Sequence, residues 1–264
     1  MLSLAILNFN GADSLRESIQ SVLDQTVKPD RFVVIDNAST DNSRQIAVDM
    51  GVEVVDADNK HKFITGLNTA IKLNQDLLFF MQNDVVLDEE CLEIMLEEAP
   101  KESFIAQPVI YETSGVIDNA GMDIYWPGVG MRRHTQWWNG YECYEPCGLV
   151  TTICFMTDNK RMLYDTIFSP AYYEDLDFKL RTAHLDHVLV PYAKATHKGN
   201  HTFSQSYKRE EISRICWINR NKFINKHYSG LGRVIRTAVS TAGYVACKAV
   251  RVITQRRVSP NNSH

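Results

Sequence analysis

Three stretches decide the fold of this chain: LSLAILNFN at residues 2–10, RFVVIDNASTDNS at residues 31–43 and LLFFMQND at residues 77–84. Each begins as a short apolar run and ends in a cluster of Asn, Asp, Gln or Ser side chains. Short apolar runs that stop at turn-forming residues are typical of strands buried inside a sheet. We therefore predict three buried strands, each with a polar loop at its carboxyl end.

Segments with helical spacing of apolar residues separate these strands. Leu15, Ile19 and Val22 fall on one face of the first, Thr65 to Leu73 reads as a later helix, and residues 88–99 form an acidic amphipathic one. With a further strand at 103–111, the first ~110 residues read β-α-β-α-β-α-β-α-β. This order predicts an α/β fold with a mainly parallel sheet, helices on both faces, and ligands at the carboxyl ends of the strands.

The bulk composition excludes several classes of protein. The chain has 264 residues and a formal net charge of −4, which argues against binding nucleic acid over its whole surface. Its six cysteines form no CxxC pair, which favours reduced thiols over a zinc knuckle. We find no signal peptide and no run of about 18 apolar residues, so we expect a cytoplasmic location.

Acidic residues and one histidine are the candidates for chemistry. Asp36 and Asp84 close two strands, where a carboxylate can accept hydrogen bonds from a nucleotide or hold a cation, or simply form a turn. Glu174 and Asp175 either cap a helix or supply a general base. His197 follows the last predicted strand and is either structural or a metal ligand beside Asp84.

Phosphate binding has no dedicated loop in this sequence. Neither GxGxxG nor GxxxxGK[ST] occurs, so phosphate charge has to be met by a metal ion together with Lys or Arg side chains. Arg220 and Lys222 are candidates on a helix predicted from Lys208 to Tyr228, although both also suit a solvent-facing surface. Residues 126–144, rich in Trp, Tyr and Gly, predict a loop or β segment that faces an acceptor.

The segment from Leu231 to Val258 differs from the rest of the chain. It holds six basic residues and no acidic ones, whereas the other residues comprise 22 basic and 32 acidic side chains. Its apolar residues recur at helical spacing. A basic amphipathic helix suits an anionic membrane surface, and the alternative is a helix packed on the body with its arginines in solvent.

Together these motifs resemble glycosyltransferase family 2, whose members have the GT-A fold. The matching stretches include ILNFNG, FVVIDNASTDNS, GLNTAI, FFMQNDVVLD, YYEDLDFKL and INRNKF, in order over residues 2–228. The resemblance extends to bacterial rhamnosyltransferase-type enzymes of surface polysaccharide synthesis. It implies a transferase domain at 1–228, with a nucleotide-binding half at 1–110 and an acceptor-binding, catalytic half at 111–228. A basic helical extension at 229–258 and a tail at 259–264 follow.

The resemblance also implies roles for particular residues. Gln82-Asn83-Asp84 takes the place of the metal-binding DxD motif, with Gln82 replacing its first acid. The implied catalytic acids are Asp175, as the base, and Glu174; the implied metal ligands, for Mg²⁺ or Mn²⁺, are Asp84 and His197. The implied nucleotide-sugar-binding residues are Asn8, Asn10, Asp36, Asn68, Asn83 and Arg220.

The function that follows is an inverting, metal-dependent glycosyltransferase of the hexosyltransferase type. We expect a UDP- or dTDP-linked donor, with dTDP-rhamnose as one candidate. The expected acceptor is a saccharide or lipid-linked glycan of a cell-surface polysaccharide such as lipopolysaccharide. We expect the protein to lie peripherally on the inner face of the cell membrane through residues 231–258. Because Gln82 replaces an acid, the alternative is a non-catalytic nucleotide-sugar-binding protein of the same fold.

Overall fold

The computed structural model describes residues 1–57, 63–73, 75–125, 130–133, 145–146, 150–199 and 208–242. Most of the predicted acceptor-facing segment at 126–144 and residues 243–258 of the basic extension lie outside these ranges. None of the helices within the described ranges is long and apolar enough to cross a membrane.

Strands and helices alternate along the first half of the chain, as the sequence predicts. The strands are β1 Leu2–Asn8, β2 Arg31–Asp36, β3 Glu53–Asp56, β4 Leu77–Gln82, β5 Val85–Leu87, β6 Phe104–Glu112, β7 Ile117–Asn119, β8 Met122–Tyr125, β9 Gly130–Arg133, β10 Glu145–Pro146, β11 Cys154–Thr157 and β12 Asp186–His197. The helices are α1 Leu15–Leu23, α2 Ser43–Asp49, α3 Phe63–Leu73, α4 Cys91–Glu98, α5 Glu174–Arg181, α6 Arg209–His227 and α7 at residues 230–242.

The main sheet is mixed but mainly parallel, in agreement with the predicted fold class. Its strand order is β10-β12-β6-β11-β4-β1-β2-β3, with β5 added to β12 and β7 added to β6. Strands β4, β1, β2 and β3 run parallel to one another, and β12 runs parallel to β6. Strand β11 is antiparallel to both of its neighbours, β4 and β6. The carboxyl ends of β1, β2 and β4 therefore meet at one edge.

The core lies on both faces of this sheet because each central strand is apolar on both sides. Leu4 and Ile6 of β1 pack with residues of α1, α2 and α4, whereas Ala5 and Leu7 pack with residues of α3, α5 and α6. The continuous apolar run of β1, buried along its whole length, is the consequence of this double cover.

Strands β5 and β12 bear on the site and differ from the sequence prediction. The short strand β5 has no counterpart there, because three residues after a turn carry too little periodicity to be recognised. Strand β12 runs on to include His197, which the sequence prediction places after the strand, and it has a bulge between Val190 and Lys194. Its last three residues pair antiparallel with β5, and His197 lies opposite Val85. This pairing brings His197 beside the residue that precedes Val85, which is Asp84.

Candidate functional site

Two asparagines and one aspartate form a buried network where β1, β2 and β4 end. Asn8 is opposite Asp36 in the parallel register, and its side-chain nitrogen donates to Asp36 Oδ1 at 3.2 Å and to Ser43 Oγ at 2.9 Å. Asn83 donates its own amide to Asn8 Oδ1 at 2.9 Å. Because all of these side chains are buried, each hydrogen bond replaces one that water would otherwise make. The network fixes the carboxylate of Asp36 at the edge of the sheet.

Gly11 allows the loop after β1 to pass directly over this network. A Cβ atom at this position would lie 1.9 Å from Asn83 Nδ2 and 2.5 Å from Asn8 Oδ1. Both distances are far below van der Waals contact, so any side chain at residue 11 would displace the two amides. The sequence identifies the asparagines but gives no sign that Gly11 is required by this contact.

The remaining contacts of Asp36 define a small polar pocket. The backbone N–H of Ser39 donates to Asp36 Oδ2 at 3.3 Å, and Arg44 lies 3.5 Å from the same oxygen. Arg44 also forms a 2.7 Å ion pair with Asp56 on the neighbouring strand β3. Asp36 is only 3% exposed, so the nearby guanidinium offsets part of the cost of burying its charge.

Asn10 joins the two loops that border this pocket. Its backbone is left-handed, with a φ of 48°, and its side-chain oxygen accepts a 2.7 Å hydrogen bond from the backbone of Thr40. Its own N–H donates to Ser39 Oγ at 3.0 Å. The loops after β1 and β2 are thus held together on the solvent side of Asp36.

His197 lies between two carboxylates. Its Nε2 is 3.4 Å from Asp84 Oδ2, and its Nδ1 is 3.1 Å from Asp118 Oδ2. Burial lowers the pKa of the imidazole, but the hydrogen bonds and charges of Asp118 and Asp84 outweigh that effect and raise the pKa to about 9. The sequence prediction paired His197 with Asp84 and missed Asp118. No sequence signal marks this contact, because Asp118 comes from the β7 hairpin strand, 79 residues away.

The side chains around His197 suit one cation, for which they offer few ligands. The carboxylates lie on opposite ring nitrogens and therefore cannot both meet a metal bound to one of them. No group of three or more potential metal ligands occurs among the described side chains. Within the part of the chain that the structure describes, Asp84 nevertheless keeps one buried oxygen, Oδ1, without a hydrogen-bond partner. A buried carboxylate oxygen in this state is costly unless a proton or a cation satisfies it.

Gln82 and Asn68 have structural contacts. The amide of Gln82, which replaces the acid of the DxD pattern, donates to the backbone oxygen of Thr152 at 3.1 Å. Asn68 on α3 makes two hydrogen bonds with the backbone of Tyr164, at 2.8 and 2.9 Å. Tyr164 in turn stacks on Phe178 of α5 with ring centroids 4.0 Å apart. Asn68 thus ties α3 to the chain segment that precedes the acidic helix.

Glu174 and Asp175 begin α5 but differ in burial. Glu174 is 5% exposed and its Oε2 finds no hydrogen-bond partner among the described residues, whereas Asp175 is half-buried. Burial, reinforced by the charge of Asp175, raises the pKa of Glu174 well above its usual range. Burial, with the charges of both acids, likewise raises the pKa of Tyr164, which places that phenol beside the pair.

Helix α6 fixes the chain that leads into these acids. Tyr172 and Tyr173 both have left-handed backbones, with φ values of 74° and 75°. Asn219 donates to the backbone oxygens of Phe168 and Ala171 at 2.5 and 2.8 Å. Because left-handed conformations are strained for residues with side chains, such a turn persists only where its surroundings hold it.

Arg220 contributes to the same turn. Its Nε donates at 2.5 Å to the hydroxyl of Tyr173, the residue that precedes Glu174 in the chain. The sequence prediction placed Arg220 among the nucleotide-sugar ligands, and the structure puts it against the turn that carries the acids. Asn219, its neighbour, was not predicted at all.

The two groups of polar residues share one edge of the sheet. Helix α5 leads directly into β12, which runs parallel to β6 and ends at His197. A helix that connects to the start of such a strand has its own N-terminus toward the strand ends. The acids of α5 therefore face the same side of the molecule as Asp36 and Asp84.

Comparison with known proteins bears on the family and the fold of this chain. The family model described as "Glycosyl transferase family 2" matches residues 3–156, which is more than half of the chain. The comparison with curated proteins gives no match.

Solved structures support the same fold. Residues 1–349 of TarS from S. aureus, crystallised with UDP-GlcNAc, align with a TM-score of 0.55 and 14% identity over 92% of this chain and 80% of that one. The mannosyltransferase PcManGT from Pyrobaculum calidifontis, in complex with GDP-Man and Mn²⁺, aligns with a TM-score of 0.55 and 9% identity over 94% and 75%. The chain spans 39% of a longer TarS structure at 13% identity and a TM-score of 0.55. At such identities the likeness concerns the fold alone.

Proposed function

The chain belongs to glycosyl transferase family 2, and from this premise we propose that it is an inverting glycosyltransferase that uses a nucleoside-diphosphate sugar. The observation that carries the proposal is the shared edge of the sheet. The Asn8–Asp36–Asn83 network and the Asp84–His197 pair lie at the strand ends, and the topology of α5 and β12 directs the acids of α5 toward the same edge. A donor base, a diphosphate and an acceptor hydroxyl each need one of these three groups.

The base of the donor would bind at Asp36. A carboxylate accepts hydrogen bonds only, and uracil and thymine both present an N–H at the same ring position. Asn8 donates to this carboxylate and Asn83 donates to Asn8, while Asn10 closes the pocket from the solvent side. This chemistry fits UDP and dTDP equally. The rhamnosyltransferase-type resemblance favours a dTDP-linked sugar, dTDP-rhamnose among them.

A divalent cation would be held by Asp84 and His197. Asp84 Oδ1, which has no hydrogen-bond partner among the described residues, and the imidazole Nε2 in its deprotonated form provide one oxygen and one nitrogen ligand, a set that Mn²⁺ and Mg²⁺ accept alongside phosphate oxygens. Asp118 accepts from the opposite ring nitrogen and so directs Nε2 toward Asp84. When bound, the ion supplies positive charge for the leaving diphosphate.

Asp175 would be the general base. Burial raises the pKa of Glu174 and disfavours its charged form, so the more exposed Asp175 is the better candidate for the carboxylate that accepts a proton. Inversion needs one carboxylate to accept the proton of the acceptor hydroxyl as it attacks the anomeric carbon. Glu174, turned into the core beside it, is less accessible to an acceptor.

Two isosteric variants test this division of roles. We expect Asp175→Asn to lower the rate of sugar transfer by about 10²–10⁴-fold, because the proton acceptor is lost. Glu174→Gln, which mimics the protonated acid, should stay within about tenfold of the wild type. The measurement is release of UDP or dTDP in the presence of acceptor. Full activity of Asp175→Asn, or a larger loss in Glu174→Gln, would reject Asp175 as the base.

A separate variant tests the cation site. We expect Asp84→Ala to weaken Mn²⁺-dependent donor binding, measured by calorimetry with and without the metal. Asp49→Ala, which removes an exposed carboxylate of α2, is the matched control. If Asp84→Ala binds donor and Mn²⁺ as the wild type does, the proposed ligands are wrong.

The acceptor and the location follow from the resemblance. We propose that the acceptor is a saccharide on a lipid or glycan carrier of the cell surface, extended at the inner face of the membrane. A non-catalytic nucleotide-sugar-binding protein is the second candidate. Gln82 stands where the DxD pattern has an acid, and its amide donates a hydrogen bond to the backbone oxygen of Thr152. Donor hydrolysis or transfer by the purified protein separates the two.

A further inference from the structure

Helix α7 presents an apolar stripe to solvent. Leu231, Val234, Ile235 and Val239 are 74%, 61%, 43% and 43% exposed. Residues spaced by three and four lie on one face of a helix, so these four side chains form a continuous row. A helix on the surface of a soluble protein normally turns such a row toward the core.

The opposite face of α7 is the one that faces the protein. Ser240 is fully buried, and the guanidinium of Arg236 lies 3.9 Å from the centre of the Tyr228 ring. Ser240 falls about half a turn away from Leu231 and Ile235 on the helical wheel. The polar side of α7 is therefore turned inward and its apolar side outward, which excludes the alternative of a helix whose stripe packs on the described part of the body.

Charge indicates what covers the stripe. Residues 231–258 contain six basic and no acidic side chains, whereas the rest of the chain has an excess of acids. An apolar stripe with basic residues and no acid complements a surface that is anionic outside and apolar beneath, which is the interface of an anionic bilayer. The acidic body would be repelled by that surface, so the contact is confined to this segment.

We propose that α7 lies in the interface of an anionic membrane, with Leu231, Val234, Ile235 and Val239 among the lipid chains. Helix α6, which fixes the turn before Glu174, ends three residues before α7 begins. Membrane contact therefore anchors the chain next to α6, the helix that holds the turn before Glu174. This inference rests on the exposed stripe and its charge, and it does not depend on the proposed reaction.

The test uses the full chain and vesicles of defined composition. Sedimentation with vesicles of phosphatidylglycerol and phosphatidylcholine is compared with pure phosphatidylcholine, at low and high salt. We expect binding to the anionic vesicles only, and weaker binding as salt screens the basic residues. Replacing Leu231 and Ile235 together with serine should lower partitioning about 100-fold, because each side chain contributes about tenfold.

A matched variant separates this stripe from exposed apolar residues in general. Val48 and Val116 are 53% and 57% exposed and lie outside α7, so Val48→Ser with Val116→Ser should leave partitioning unchanged. Donor hydrolysis in solution is measured for both double variants and should match the wild type, which distinguishes failure of this proposal from failure of the proposed function. The thermal midpoint should also be unchanged, since the replaced side chains are exposed.

Two results would overturn the proposal. One is equal binding of the α7 variant and the wild type to anionic vesicles, or no binding by either. The other is a dimer in light scattering that Leu231→Ser with Ile235→Ser converts to a monomer without lipid, because a second copy would then cover the stripe.

Discussion

Replacing Gly11 with alanine tests the close approach of the loop after β1 to the buried network beside the proposed donor pocket. The new methyl group would lie 1.9 Å from Asn83 Nδ2, where ordinary contact begins near 3.4 Å, so the amide must move by about 1.5 Å. Such a shift breaks the 2.9 Å hydrogen bond from Asn83 to Asn8. The same methyl group also crowds Asn8 Oδ1, and so disturbs the group that holds Asp36.

The expected effect is large for one methyl group. Leaving a buried amide unsatisfied costs about 1–3 kcal/mol, and overpacking adds about 1–3 kcal/mol. We expect the free energy of unfolding of Gly11→Ala to fall by about 2–6 kcal/mol. UDP and dTDP should also bind at least tenfold more weakly, since the carboxylate that accepts from the base is displaced.

Urea denaturation and calorimetric titration of both nucleotides measure the two effects. Gly51→Ala is the control. The backbone of Gly51 is left-handed, with a φ of 76°, which strains any residue with a side chain, but no described atom lies within 4 Å of the added methyl group. That variant should lose about 1–2 kcal/mol of stability and keep its nucleotide affinity. Wild-type stability and affinity in Gly11→Ala would refute the reasoning, as would an equal loss of affinity in Gly51→Ala.

Three further variants probe the contacts that hold the site. Asp177 is fully buried and pairs with Arg181, Lys226 and His227, so Asp177→Asn should lower the free energy of unfolding by about 3–5 kcal/mol in urea. Burial acts to raise the pKa of Asp177, but these partners lower it. The contribution of Asp177 to the free energy of unfolding is therefore present above about pH 4 and is lost as the pH falls further. The stability of the variant should fall less steeply with acid than that of the wild type, and an equally steep fall contradicts this. Asn219→Ala should lower kcat by a larger factor than it changes the KM for the donor. An unchanged kcat would mean that the turn before Glu174 keeps its conformation without Asn219. Asp118→Asn should weaken Mn²⁺ binding by about 10–100-fold in calorimetry, and unaltered binding would remove Asp118 from the site.

The order of strands and helices could be predicted from the sequence because local patterns carry it. An apolar run such as LSLAIL is buried on both faces only in a covered parallel sheet, and this is what β1 forms. Strand β5 could not be predicted, because its three residues form a strand only through pairing with the end of β12. The same pairing brings His197 to Asp84, a contact that periodicity alone does not contain.

The site was predictable as a set of residue types but not as a set of partners. Asn8, Asp36 and Asp84 are visible in the sequence as polar residues at strand ends, and the parallel register brings the first two together. Asp118, Asn219 and Gly11 act through contacts with residues distant in sequence or through the volume they leave empty. Such contacts depend on the packed structure and leave no local signal.

Glu174 and Asp175 show how far burial alone can assign chemistry. Both are acids of the first turn of α5, and in the sequence they are interchangeable. Adjacent helical residues point about 100° apart, however, so one turns into the core and the other stays half-buried. Removing the Glu174 carboxyl from water raises its pKa, and the charge of Asp175 adds to the rise. The same rotation that buries one acid leaves the other available to accept a proton, which is why we expect Asp175→Asn, and not Glu174→Gln, to stop transfer.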